Sequence, residues 1–553
     1  MTEDSARGRT GFRSRIPSRL GGALMWTAPL AIALFSPLTL LVFNLGEIPP
    51  SAAVRSIATS LALGLAFVLV MKRLVRPRER AVVLASAAMF AFFTYGHLYD
   101  GMKRLGPAWI PLARHRILVP LEALLFVVVM VIVIRRPTFA RPIAQWLTAT
   151  AWILLALATL DMVRQLAPGW IPSGEDPRAS LATSGSVRAD LPDVFYIVLD
   201  GYGRSDVLEA SYGYDNGPFL DSLRGRGFYI ADRSMSNYSR TLLSLSSSLN
   251  MDYLDQLLGP GVLGRDVRQP FIEAVASNRV FSLFRDLGYS IVAFETGYHP
   301  TELHNADVYL VPDHGEVEMD QTTYAGVGLN EFEGLFLQTT MATAAFDWLE
   351  RELQRQAPEL IRYEYNMHRT RILFALSSLS DVAAHPGPQF VFAHILAPHP
   401  PFVFGPGGEN IPQQAVFSFA GDGCCQGNDY VERYIGQVRF LNQALESELG
   451  EVLEAADGNA IIILQGDHGP AGYLHWDNPG EAEVYDRMAI LNAYYLPDSP
   501  NGVLYPTISP VNTFRAIFDQ FYGGEFGLLE DVSYFTSSLR LSDATVVAPI
   551  AAP

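Results

Sequence analysis

Apolar and polar positions divide this chain into two regimes. Up to about residue 165, long apolar stretches are separated by basic clusters; beyond that, short β-branched runs alternate with amphipathic ones. The long stretches run roughly from Gly21 to Leu45, Ile57 to Met71, Ala81 to Leu98, Ile117 to Ile134 and Ile143 to Leu160. Most approach the ~20 residues that cross a bilayer and the shorter ones extend into their flanks, so the pattern predicts five transmembrane helices. One of these cores holds an acidic residue, Glu122, which is costly in lipid and reads either as functional or, being close to a helix end, as reaching the interface.

The second regime reads as a soluble α/β protein. VFYIVL, GFYIA, SIVAFE, QFVFAHI and AIIILQ are predicted strands, while Asn216 to Arg226, Arg279 to Leu287 and Tyr430 to Ala455 are predicted helices. That alternation implies a mostly parallel sheet flanked by helices. The stretch between the regimes is rich in Pro, Gly and Ser and lacks periodicity, which predicts a linker. The expected organisation is therefore a five-helix transmembrane domain over 1–166, a linker over 167–191 and a catalytic domain over 192–553.

Charge sets the orientation. Arg7, Arg9, Arg13, Arg15 and Arg19 precede the first span, Lys72, Arg73, Arg76, Arg78 and Arg80 follow the second, and Arg135, Arg136 and Arg141 follow the fourth. The opposite side has Arg55, Lys103, Arg104, Arg114 and Arg116. The excess makes the amino-terminal side cytoplasmic, and five spans then put the larger part of the chain on the periplasmic or extracellular side of the cytoplasmic (inner) membrane. A first core of about 25 residues with four more behind it reads as a retained anchor rather than a cleaved leader. Residues 1–165 hold 19 of the 40 basic and 7 of the 57 acidic side chains, so the remainder carries a formal charge near −29. A surface that acidic repels nucleic acid. The two cysteines, Cys424 and Cys425, are adjacent and form either a vicinal disulfide or two free thiols; no catalytic role is assigned to them.

Several polar residues lie where a parallel sheet would place chemistry, at the carboxyl ends of strands. VFYIVLDGYG ends its apolar run at Asp200, and AIIILQGDHG ends its run at Asp467 and His468. An adjacent carboxylate and imidazole suit a divalent ion, Zn²⁺ or Mn²⁺. SNYSRTLLSLSSSLNM, residues 236–251, crowds hydroxyls at what reads as a helix start, where free amides favour a phosphate and a metal can activate a hydroxyl nucleophile. QFVFAHILAPHPPF contributes His394 within a strand and His399 beyond its end; His394 reads as a packed or hydrogen-bonded structural residue and His399 as a proton donor or phosphoryl contact. His475, in GYLHWDNP, is a candidate second ligand or headgroup contact.

Taken in order, LDGYGR, SNYSRTLLSLSSSLN, HILAPHPPF and GDHG resemble the alkaline phosphatase superfamily in its sulfatase-like branch. With five spans ahead of an exported domain, the layout is similar to bacterial phosphoethanolamine transferases and lipoteichoic acid synthases. The resemblance implies a metal held by Asp200, Thr241, Asp467 and His468, with Thr241 as nucleophile, His399 contacting the transferred phosphate and His475 binding substrate. It implies a phosphotransferase that moves a phospholipid headgroup, of phosphoethanolamine or phosphoglycerol type, to an envelope glycan or glycolipid through a phospho-threonine. The rivals are a sulfatase-like phosphodiesterase or other ester hydrolase, and a catalytically silent envelope recruitment protein. The chain lacks a C/S-x-P-x-R maturation motif and carries Gly201 where sulfatases usually have a second Asp, so sulfate ester hydrolysis is not expected.

Overall fold

A computed structural model describes residues 24–547, except 45–49, 105–108, 110, 167–190, 265–266, 314–330, 357, 414–416, 418, 420–427, 477 and 498–501. Nearly all of the expected linker and both cysteines lie outside the described residues. The chain forms two compact units, one of Met1–Pro168 with Gln321–Gln356 and one of Gly169–Asp320 with Ala357–Pro553.

In the first unit, five helices are long and apolar enough to cross a membrane: Met25–Asn44, Pro50–Leu74, Arg78–Lys103, His115–Arg135 and Pro137–Arg164. Leu121, Leu124, Leu125 and Ile132 of the fourth are more than half exposed, a face that only an apolar solvent satisfies. The same unit takes back residues Gln321–Gln356, which the sequence pattern assigns to the catalytic domain. Helix Glu331–Thr339 buries Phe332 and Phe336 in one cluster with Ala33, Leu41, Ala53, Met89 and Phe93. Arg55 pairs in a fork with Glu333, both contacts at 2.7 Å, and His115 Nε2 meets Asp347 Oδ2 at 2.8 Å. A short apolar run inside a polar insert gives no sign from sequence of which surface will cover it.

The second unit is built on a seven-stranded sheet in the order β2-β7-β6-β1-β5-β3-β4. The strands are β1 Asp193–Leu199, β2 Tyr229–Ile230, β3 Ser290–Phe294, β4 Val308–Leu310, β5 Gln389–Ile395, β6 Ala460–Gly466 and β7 Asn492–Tyr495. β1, β3, β4, β5 and β6 run parallel, while β7 is antiparallel to both of its neighbours, β6 and β2. All five predicted strands form; β4 and β7 escape sequence analysis because their runs are short.

β1 is central, and its near-continuous apolar run follows from burial on both faces. Phe195, Ile197 and Leu199 join one core, into which helix Asn428–Ala455 sends Tyr434, Val438, Leu441, Leu445 and Leu449. Val194, Tyr196 and Val198 join the other, with Leu242, Leu243 and Leu245 of helix Thr241–Ser248 and Phe514 and Phe518 of helix Pro510–Phe521. Each such side chain contributes about 1.5–3 kcal/mol by leaving water. Register aligns Leu199 with Ile395 of β5 and Gly466 of β6, so three neighbouring strands finish at one rim.

Candidate metal centre

Strand alternation assembles the site. Val198 pairs with His394 of β5 and with Gln465 of β6, and all three share the face lined by Tyr196, Phe392 and Ile463. Two residues on, with the same parity, come Asp200 and Asp467. Asp200, His394 and Asp467 are all buried and offer ligand atoms that lie within 4.8 Å of one another. His394 is buried and hydrogen-bonded to Thr301, and it also lies within this cluster.

Backbone turns fix the carboxylates. Gly201 has a φ of +76°, a left-handed conformation that disfavours other residues, and its N–H donates to Asp467 Oδ1 at 3.0 Å. The Asp200 N–H donates to the Ile395 carbonyl, and the Asp200 carbonyl accepts from the His399 N–H at 2.9 Å. Ser236 Oγ donates to the Asp467 carbonyl at 2.5 Å.

Helix Thr241–Ser248 begins at Thr241, so its first amides have no partner within the helix. Thr241 Oγ1 stands 3.0 Å from His468 Nε2, and the residue is only partly buried. Neighbouring hydroxyls are used elsewhere. Ser239 bonds the Thr536 carbonyl, Ser244 faces Ser236, and Ser246 and Ser248 bond carbonyls of their own helix. Thr241 is thus the hydroxyl of this helix that faces His468.

His468 Nε2 lies 3.6 Å from Asp200 Oδ1 and 3.4 Å from Asp467 Oδ2. Its Nδ1 faces the Gly469 carbonyl at 3.0 Å and its Nε2 faces an Arg487 N–H at 3.0 Å. Those partners select the neutral tautomer with hydrogen on Nδ1 and a lone pair on Nε2. Burial and the Arg487 charge both push its pKa down, in agreement. His394 is oriented in the same way: Nδ1 meets Thr301 Oγ1 at 3.0 Å, leaving Nε2 3.5 Å from Asp200 Oδ2.

The two carboxylates are driven apart. Burial, reinforced by the Asp200 charge, pushes Asp467 up to about 6. For Asp200 burial works the same way, but His399 and His394 outweigh it and hold the carboxyl well below its usual range.

Asp200 Oδ1, Asp467 Oδ2 and His394 Nε2 are buried with no hydrogen-bond partner among the described residues. Orphaned acceptors turned toward one another are costly unless a cation satisfies them. Carboxylate oxygens with imidazole nitrogens are a donor set that suits a divalent ion such as Zn²⁺ or Mn²⁺, so the residues present fit the group.

The remaining expectations divide. His399 is partly exposed beside the cluster, its ring 6.0 Å from that of His468. His475 is exposed, and its ring pairs with Glu483 at 3.0 Å instead of joining the buried cluster. The next residue, Trp476, has the guanidinium groups of Arg240 and Arg487 over its ring at 4.5 and 5.1 Å. Arg487 is the residue that sequence reasoning misses: buried on helix Glu481–Met488, it ties His468, the Gly469 carbonyl and the Ser239 carbonyl together. No motif marks it.

Residues 192–500, just over half of the chain, match the Sulfatase family. The chain belongs to the sulfatase family. The matched span opens on β1 and includes Asp200, Thr241, His394, His399, Asp467 and His468, so this sulfatase-family enzyme holds its cluster within the shared domain. No curated protein matches its sequence. Among solved structures it is similar to the zinc-complexed periplasmic domain of EptC from Escherichia coli, at 10% identity and TM-score 0.40 over 66% of this chain and 94% of that one. It is also similar to the lipooligosaccharide phosphoethanolamine transferase EptA from Neisseria meningitidis, at 10% identity and TM-score 0.36 over 90% of this chain and 96% of that one. A third is the phosphonate monoester hydrolase of Agrobacterium radiobacter, at 14% identity and TM-score 0.34 over 62% and 80%.

Proposed function

We propose that this protein is a membrane-anchored phosphotransferase, dependent on Zn²⁺ or Mn²⁺, that takes a headgroup phosphate from a membrane phospholipid and passes it to an envelope glycan or glycolipid. The basic flanks of the five spans support a catalytic unit outside the cytoplasmic membrane. The observation that carries this reading is the Thr241 hydroxyl, at a helix start, 3.0 Å from His468 Nε2 and beside two carboxylates with unsatisfied oxygens.

Asp200, Asp467, His394 and His468 would hold the divalent ion, which when bound lowers the pKa of a nearby hydroxyl and neutralises phosphate charge. Thr241 Oγ1, its proton released to solvent, attacks the phosphorus of a phosphodiester; an O–P bond forms to Thr241 and the bond to the diacylglycerol oxygen breaks. His399, at the mouth of the site, gives that oxygen its proton. An acceptor hydroxyl then attacks phospho-Thr241, returning its proton to His399 as the bond to Oγ1 breaks. The free amides at the start of helix Thr241–Ser248 and the Arg487 charge favour the phosphoryl oxygens throughout.

Mass spectrometry of the Thr241 peptide after incubation with total membrane lipids tests this. A headgroup-phosphate adduct is expected in wild-type protein and not in Thr241→Ala. Adduct formation that survives the substitution would remove the nucleophile assignment, and an unmodified peptide together with free headgroup phosphate would favour plain hydrolysis.

A further inference from the structure

On the β3 side of the cluster lies a second group of buried polar residues that the proposed chemistry does not use. β3 pairs with β5 so that Ala293 faces Phe392, and continuing that register by two residues sets Glu295 level with His394. Glu295 is buried and pairs with Arg371, Nη2 to Oε1 at 3.0 Å. Space for the guanidinium exists because residue 297 is glycine: a Cβ there would meet Arg371 Nη1 at 2.7 Å, and its φ of +76° admits little else. Thr296 and Thr301 of the same loop are hydrogen-bonded at 3.2 Å, and Thr301 is the residue that orients His394.

One turn before Arg371, on the same face of helix Pro358–Ser377, stands His368, with 0% of its surface exposed. Its ring packs against Phe417 and Phe419, with centroids at 5.5 and 5.3 Å, and Phe419 in turn packs against Tyr298 at 5.8 Å. Leu396, two residues past His394, brings its backbone beside the ring, but among the described residues neither His368 nitrogen has a partner in hydrogen-bond geometry, nor does Arg371 Nε. Three buried donor or acceptor atoms with nothing to bond are a cost that a bound ligand removes.

We infer that His368, Arg371 and Glu295 form the recognition subsite for the headgroup, and that it selects an uncharged, hydroxyl-bearing headgroup of the glycerol type over an ammonium headgroup. This rests on the reading of the protein as a headgroup transferase. A hydroxyl both donates and accepts, which matches a neutral imidazole beside an arginine N–H. Burial and the Arg371 charge hold His368 down to about 3, which keeps it neutral. An ammonium group offers only donors, and the carboxylate nearest to it, Glu295, is already paired with a fixed cation. Glu302 is engaged by Thr296, the Gly297 N–H and Tyr309, and burial pushes the pKa of Glu364 up, which works against a standing anion there.

The test uses the full chain in detergent micelles, incubated separately with vesicles of phosphatidylglycerol and of phosphatidylethanolamine. It reads the mass added to the Thr241 peptide, and by calorimetry the affinity of Thr241→Ala protein for glycerol phosphate and for phosphoethanolamine. Expected are a glycerol phosphate adduct and a preference for glycerol phosphate of about tenfold or more, the scale of one or two hydrogen bonds. His368→Phe should reduce that affinity about tenfold while leaving the thermal midpoint unchanged or higher, because the ring gives up no internal hydrogen bond. A preferred ethanolamine phosphate adduct would overturn the subsite and leave headgroup transfer standing. So would a His368→Phe protein that loses stability but keeps its glycerol phosphate affinity. Absence of any adduct from both lipids would overturn headgroup transfer, and the calorimetry then still decides the subsite: equal or tighter binding of phosphoethanolamine refutes it.

Discussion

Thr241 Oγ1 and His468 Nε2 are 227 residues apart in the chain and 3.0 Å apart in space. Only a helix on one face of the sheet and a strand end beneath it bring them together. The hydroxyl is thereby set beside a lone pair and two carboxylates before any substrate arrives. Replacing Thr241 by Ala should cost at least about a thousandfold in headgroup transfer, as loss of a nucleophile does elsewhere. Metal content measured by mass spectrometry should stay near wild type, since Asp200, Asp467 and the two imidazoles remain.

His394 should matter for metal and not for the fold alone. His394→Ala is expected to lower divalent-ion affinity by about 10–100-fold, and Thr301→Val, which removes the partner of Nδ1, by about tenfold. Competition against a chromogenic chelator measures both. Wild-type affinity in His394→Ala would exclude that ring from the ligand set.

Asp193, at the start of β1, makes stability depend on pH. Burial pushes its carboxyl up to about 6, while Oδ1 accepts the Gln389 N–H at 2.8 Å. Its folded pKa exceeds its unfolded value, so the native state binds more protons between about pH 4 and 6 and stability falls as pH rises through that window. Asp193→Asn keeps the acceptor and removes the charge. With its partial exposure discounted, it should raise stability at pH 7 by about 1 kcal/mol and leave it unchanged at pH 4. Chemical denaturation of the catalytic unit at both pH values checks the sign.

Arg55 and Glu333 hold the inserted helix Glu331–Thr339 within the helical unit. Arg55→Ala leaves a mostly buried carboxylate without its guanidinium, at a cost of about 1–3 kcal/mol. Limited proteolysis in detergent should then cut the 321–356 segment sooner than in wild type. Cleavage at the wild-type rate would show that Phe332 and Phe336 alone secure it.

Much of this protein is determined by short-range pattern. Apolar stretches near bilayer length specify the five spans, continuous β-branched runs specify strands buried on both faces, and a carboxylate at the end of such a run already points to Asp200 and Asp467. Tertiary structure decided the rest, because those outcomes depend on which surfaces meet. His394 looks like any strand residue until strand register and alternation align it with Asp200. Arg487 belongs to no motif, and His475 lies in a suggestive one yet pairs with Glu483 at the surface. Residues 331–339 carry too few apolar side chains to announce that membrane helices cover them, and Glu295, Arg371 and His368 become a group only when a strand end and a helix face close over the same buried space.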